Sequence, residues 1–176
     1  MASQPMIANM EPAGGRLLLA TDLSSASERA AQEAIRMAVE SNAQLVVLSV
    51  VDPGKLRLPG GSYLRRVDQE RSVIETGVQR LVGRARQAGA RATFLVWEGE
   101  PADAILAAAE AENVDAIILG SHGRGLLGRL VLGSISTRVS QQARCEVFVV
   151  AGSSQGAVGS RTPTVTAIER PIREGS

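Results

Sequence analysis

The chain has 176 residues, 44% hydrophobic but only 2% aromatic, with 19 basic and 18 acidic side chains and a formal net charge of +1. That length suits one domain, since domains run to roughly 100–200 residues, and the balanced charge argues against a bulk electrostatic partner such as DNA or an anionic membrane. One cysteine, Cys145, and one histidine, His122, exclude an internal disulfide and argue against a zinc site.

Residues 1–15 carry no hydrophobic period, no basic start and no apolar centre. They read as a disordered N-terminal tail and not as a signal peptide. Residues 16–22 (RLLLATD) read as a strand ending on a carboxylate. Ser25-Ala-Ser-Glu28 then has the form of a capping box, opening a helix to about Ser41 with Ala30, Ala34, Ile35 and Ala38 at helical spacing. Residues 44–52 (QLVVLSVVD) are a second strand, again with a terminal Asp. A loop with two Pro-Gly signals leads into a long amphipathic helix, with Leu64, Val67, Ile74, Val78, Leu81 and Ala85 on one face. Its arginine-rich outer face is interspersed with Asp68, Glu70 and Glu75 and lacks aromatics, which suits a solvated surface better than a nucleic-acid patch.

Residues 92–97 are a third strand, followed by a helix with Pro101 in its first turn. Residues 114–120 (VDAIILG) are apolar on both faces, as a central parallel strand should be. A glycine loop, a short helix from Ser134 to about Ala143 and a fifth strand at residues 146–151 close the pattern. The longest apolar runs are of strand length, well below a membrane span. Residues 152–176, rich in Gly, Ser, Pro and Thr, read as a flexible C-terminal tail. The folded domain is therefore expected over residues 16–151, as a doubly wound parallel sheet with helices on both faces. Sheets of this kind bind ligands beyond the carboxyl ends of their strands, where strand order reverses. Asp22, Asp52 and Gly120 all lie at such ends.

Residues 120–134 read GSHGRGLLGRLVLGS. Gly120 and Gly123 are expected to take positive φ, so that amides face an anion without a Cβ in the way. Gly133 and Ser134 open the next helix, where free N–H groups and the helix dipole favour negative charge. Ser134 can cap that helix and donate to a phosphate oxygen, while Arg124 and Arg129 can add charge-assisted contacts. A lone glycine pair would more simply be a tight connection; four glycines and a serine after a central strand favour phosphate binding. Walker A fails, because Lys55, the one lysine, is not followed by Ser or Thr. The literal G-x-G-x-x-G at Gly123, Gly125 and Gly128 follows the fourth strand and not the first, so it does not serve as a dinucleotide fingerprint.

The spacing Gly120-x2-Gly123-x9-Gly133-Ser134 resembles the nucleotide-binding signature of the universal stress protein family. Ala20-Thr21-Asp22, Val50-Val51-Asp52, Gly99-Glu100-Pro101 and the run from Ala143 to Val150 resemble further blocks of that family, in order. Leu23 departs from it, standing where many members have glycine. The resemblance implies a five-stranded sheet in the order 3-2-1-4-5, similar to the adenine-nucleotide α-hydrolase fold, with ATP over the carboxyl edge. It implies that Asp22 contacts the ribose, with Ala20 and Thr21 beside the base, and that Val50 holds adenine through its backbone. Gly120, Gly123, Gly133 and Ser134 would hold the phosphates, with His122 inside the loop and a Mg²⁺ ion bridging phosphate oxygens. It also implies a homodimer through the last strand, residues 146–151, pairing an edge otherwise left open.

The function expected is a cytoplasmic, ATP-binding regulatory or stress-response protein with at most slow hydrolysis. No catalytic residue and no protein metal ligand is assigned, because His122 has no acid beside it in the loop and no G-x-S-x-G elbow is present. The alternative is a non-catalytic homodimeric interaction module that binds no nucleotide. Cys145 reads as a small apolar group before the last strand, and Trp97 as packing.

Overall fold

The computed structural model describes residues 14–56, 62–121, 133–151 and 165–167. Strands β1 (Arg16–Ala20), β2 (Gln44–Val51), β3 (Arg91–Glu98), β4 (Ala116–Gly120) and β5 (Glu146–Val150) form the expected parallel sheet in the order β3-β2-β1-β4-β5. Between them run α1 (Glu28–Ser41), α2 (Tyr63–Gln87), α3 (Pro101–Ala111) and α4 (Ser134–Gln142). A sixth strand, β6 (Val165–Ala167), comes from the segment read as a tail and pairs antiparallel with β5, so the edge expected to be open is covered over Phe148–Val150.

Alternation along the strands splits the core into two layers, because successive side chains of a strand point to opposite faces. Leu17 and Leu19 of β1, Leu45 and Val47 of β2 and Ile118 of β4 pack under α1 and α2. Leu18, Val46, Leu48, Ile117 and Leu119 pack under α3 and α4. The order reverses between β1 and β4, which pair from Leu17↔Ala116 to Ala20↔Leu119.

Several local expectations are corrected. The capping box does not form. The residue before α1 is Ser27, whose Oγ donates to the Ser24 carbonyl at 2.9 Å, and Glu28 instead pairs with Arg84 of α2. Leu64 is 71% exposed, because α2 presents Val67, Ile74, Val78, Leu81, Val82 and Ala85 to the sheet. Gly120 is not in the left-handed region, and a Cβ there would stand in ordinary contact with the start of α1, 3.5 Å from Ser27 Cα.

Leu23 does adopt the left-handed conformation, with φ of +60°, which costs a non-glycine residue about 1–2 kcal/mol. Its amide donates to Thr21 Oγ1 at 3.0 Å, and its side chain packs on the α1–α2 layer. The notch it fills is made by Gly77 of α2, where a Cβ would run into Leu23 Cδ1. The two positions should therefore be coupled. Gly77→Ala gains about 1 kcal/mol of helix propensity, a gain expected to appear in a Leu23→Gly background and to be offset by the clash when Leu23 is present. A double-mutant cycle by urea denaturation measures the coupling; simple additivity would show that the two do not touch.

Candidate functional site

Where strand order reverses, the ends of β1, β2 and β4 and the N-termini of α3 and α4 enclose a cavity of about 320 Å³. That size falls within the roughly 300–1,000 Å³ of small-molecule sites. Its apolar part is Leu48, Val50, Leu119 and Ile105 of α3; its polar part includes Thr21, Asp22, Ser27, Asp52, Lys55, Ser134 and Ser136.

β1 stops two residues before β2 reaches Val50. Thr21 N–H donates to the Leu48 carbonyl at 3.0 Å, the last contact between those two strands. Peptide groups two residues apart on a strand point the same way, so those of Val50 face the space that β1 has vacated. Asp22 and Asp52 mark the two strand ends. Each carboxylate is turned onto its own backbone, Asp22 Oδ1 accepting from Ser24 N–H at 3.0 Å and Asp52 Oδ1 from Gly54 N–H at 2.9 Å. Lys55 lies on the rim, its Nζ 4.0 Å from Asp52 Oδ2 and its side chain 75% exposed.

The opposite wall is the start of α4. Gly133 is its N-cap, in an extended conformation with φ −67° and ψ 166°, and the first intrahelical bond runs from Thr137 N–H to the Gly133 carbonyl at 2.9 Å. The amides of Gly133, Ser134, Ile135 and Ser136 thus precede the helical ladder. Ser134 is the first helical residue and not the cap expected of it; its exposed hydroxyl makes no capping bond. Ser136 Oγ reaches back to the Gly120 carbonyl at 3.4 Å, tying α4 to the end of β4.

An ionic clamp sets α4 against α3. Arg138 pairs with Glu100 at 2.7 Å and with Asp103. Glu100 is also the N-cap of α3, accepting from Asp103 N–H at 3.0 Å. That backbone bond holds its carboxyl below the ordinary glutamate range, and the Arg138 charge adds to the effect.

Seven of the expected residues meet in this one cavity: Ala20, Thr21, Asp22, Val50, Gly120, Gly133 and Ser134. His122, Gly123 and Arg124 lie outside the described residues. Lys55, Ile105, Ser27 and Ser136 were not anticipated. Lys55 follows a strand's carboxyl end, a signal that was available for it; Ile105 had no local signal. Among the described residues no group of three or more His, Cys, Asp or Glu side chains is placed to hold a metal ion, and no helix is long and apolar enough to cross a membrane.

An apolar slot beside free strand peptides, closed at one end by an open helix N-terminus, suits a flat apolar group joined to an anion. The family model for universal stress proteins matches residues 15–151, spanning all five parallel strands and the four helices. The chain belongs to the universal stress protein family. A universal stress protein of Methanocaldococcus jannaschii is 31% identical over 147 residues, covering 82% of this chain and 86% of that one. A solved universal stress protein in complex with cAMP is similar with a TM-score of 0.62 at 27% identity, over 80% of this chain and 99% of its own. A universal stress protein from Archaeoglobus fulgidus in complex with dAMP shares the fold, with a TM-score of 0.58 at 22% identity, over 77% of this chain and 96% of its own. The likeness to these universal stress proteins is one of fold, and in this chain the carboxyl edge of the sheet carries the cavity.

Proposed function

We propose that this universal stress protein binds ATP in the cavity between β1, β2, β4 and α4, as a cytoplasmic regulatory protein of the stress response with at most slow hydrolysis. The observation that carries the reading is the open N-terminus of α4 facing the Val50 peptide groups across one apolar slot. Support comes also from the relative solved with cAMP, an adenine nucleotide.

In this reading adenine lies against Leu48, Ile105 and the Val50 backbone, with Ala20 and Thr21 beside it. Asp22 meets the ribose hydroxyls. The phosphates take amides at Gly120, Gly133 and Ser134, with Gly123, His122 and Arg124 completing the loop. Among the described residues lining the cavity, Asp22 and Asp52 place two negative charges against the positive charge of Lys55, so a tetra-anion needs counter-charge. Mg²⁺ fits as a cation held mainly by phosphate oxygens and water, the usual habit of that ion, because the described residues supply no protein cage. It would neutralise phosphate charge.

Titration of ATP into the nucleotide-free wild type tests the proposal, with and without Mg²⁺. Saturable one-to-one binding that weakens in EDTA is expected. Absence of binding by a well-folded sample would sink it, and the nucleotide-free interaction module would take its place. The resemblance also implies pairing of two copies through the last strand, and we carry that homodimer as part of the proposal.

A further inference from the structure

β5 reads Glu-Val-Phe-Val-Val, with Val147 and Val149 buried on one layer and Phe148 packed on the other. It is the last parallel strand of the sheet, and it has neither lysine nor proline to blunt its outer edge, so that edge uncovered would be a template for pairing. In the structure the edge is not uncovered. Val165–Ala167 returns antiparallel to it, in the register Phe148↔Ala167, Val149↔Thr166 and Val150↔Val165.

Two copies related by a two-fold axis would bring β5 against β5 in the same antiparallel sense, since a two-fold contact uses one patch on both partners. β6 takes the direction that the strand of a second copy would take, and it takes three of the five β5 positions. The two cannot be present together. A three-residue strand forms few ladder bonds, and docking it closes the 14-residue connection formed by residues 151–164, so it is a weak and displaceable cover.

We propose that β6 is an intramolecular strap that competes with a second copy of this chain for the β5 edge. The inference rests on the reading that copies pair through the last strand. With the strap docked the chain is a monomer; with the strap released the edge accepts a second β5.

The test uses the full chain carrying Val165→Pro and Thr166→Pro. Neighbouring amides of a strand point to opposite sides and proline has no N–H, so the pair removes whichever amide faces β5. Thr166→Pro alone serves as a second, milder variant. Sedimentation velocity over a range of protein concentrations gives the assembly state, and hydrogen exchange at dilute, monomeric concentration gives the protection of the Val149 amide. Ser121 N–H donates to the Val150 carbonyl and Glu146 N–H to the Asp115 carbonyl, so the Phe148 and Val150 amides face β4 and serve as an internal reference. The expected result is a wild type protected at the Val149 amide and monomeric where the variants lose that protection, with dimerisation at least about tenfold tighter in the variants. Unchanged protection in the double variant would overturn the strap. Loss of protection with no dimer at any concentration would overturn the competition by showing that copies do not pair here. A wild-type dimer that the substitutions split would overturn it as well, since the strand would then be exchanged between copies. ATP titration of the same variants is a separate readout, because β6 is not among the cavity walls.

Discussion

Gly133→Val and Ser134→Ala, introduced together, are expected to weaken ATP binding on the order of a hundredfold while leaving the fold in place. Hydrogen bonds to a charged group are worth about 1.5–3 kcal/mol each, and a helix N-terminus adds up to about 2 kcal/mol for a nearby anion. A loss of about 3 kcal/mol corresponds to the hundredfold. Valine can take the extended conformation that Gly133 has, so the substitution does not strain the backbone. Its branched Cβ instead stands in front of the amides that would meet phosphate. Ser134 is exposed and makes no capping bond, so alanine there removes a hydroxyl from the ligand and little from the helix. The structural cost is that of exchanging glycine for valine at an N-cap, about 1 kcal/mol. Calorimetric titration alongside a urea melt separates the two effects. Unchanged affinity in the folded double variant would move the phosphates away from α4.

The largest loss of stability is expected from Ile118→Ala. Ile118 is fully buried in the middle of β4, level with Leu19 of β1 on one side and Phe148 of β5 on the other. It packs into the layer under α1 and α2, where both neighbouring strands and the helices are fixed by their own contacts and cannot collapse into the space. Truncating a buried isoleucine costs about 2–5 kcal/mol, with the upper range where the cavity persists. Domains are stable by only about 5–15 kcal/mol, so the urea midpoint should fall far, at unchanged slope. Val73 of α2 is the control. It is a large apolar residue left 67% exposed, and Val73→Ala should stay within about 0.5 kcal/mol of wild type. A loss below about 1 kcal/mol at Ile118 would mean that β4 is not central.

The parallel sheet was legible because its signals are local. A run such as Ala116–Gly120, buried on both faces, reads as a central strand without reference to anything else, and Pro101 marks a helix start by its own chemistry. Strand ends then brought Asp22, Asp52 and Gly120 to one edge by topology alone. What escaped depends on contacts far apart in sequence. Arg138 meets Glu100 across 38 residues, and nothing near either residue announces it. The capping box read from Ser25 to Glu28 gave way because Glu28 is taken by Arg84 of α2, 56 residues away. The positive φ at Leu23 was signalled only by its departure from the family's glycine; the compensating notch at Gly77 lies 54 residues away in α2. β6 is three residues long, too short for any period, and exists through its pairing with β5.

Lys55 on the cavity rim has a practical consequence for any of these measurements. All other basic side chains counted among the 19 are arginines, so an amine-reactive reagent has one side chain to attack besides an α-amino group. Coupling the protein to a sensor surface through its amines would fasten it by the doorway of the cavity and mask the ligand from the solution above. The same singularity makes Lys55 a clean place for one reporter: a dye on that amine sits within a few side chains of the cavity, with no second label on another lysine to dilute its signal.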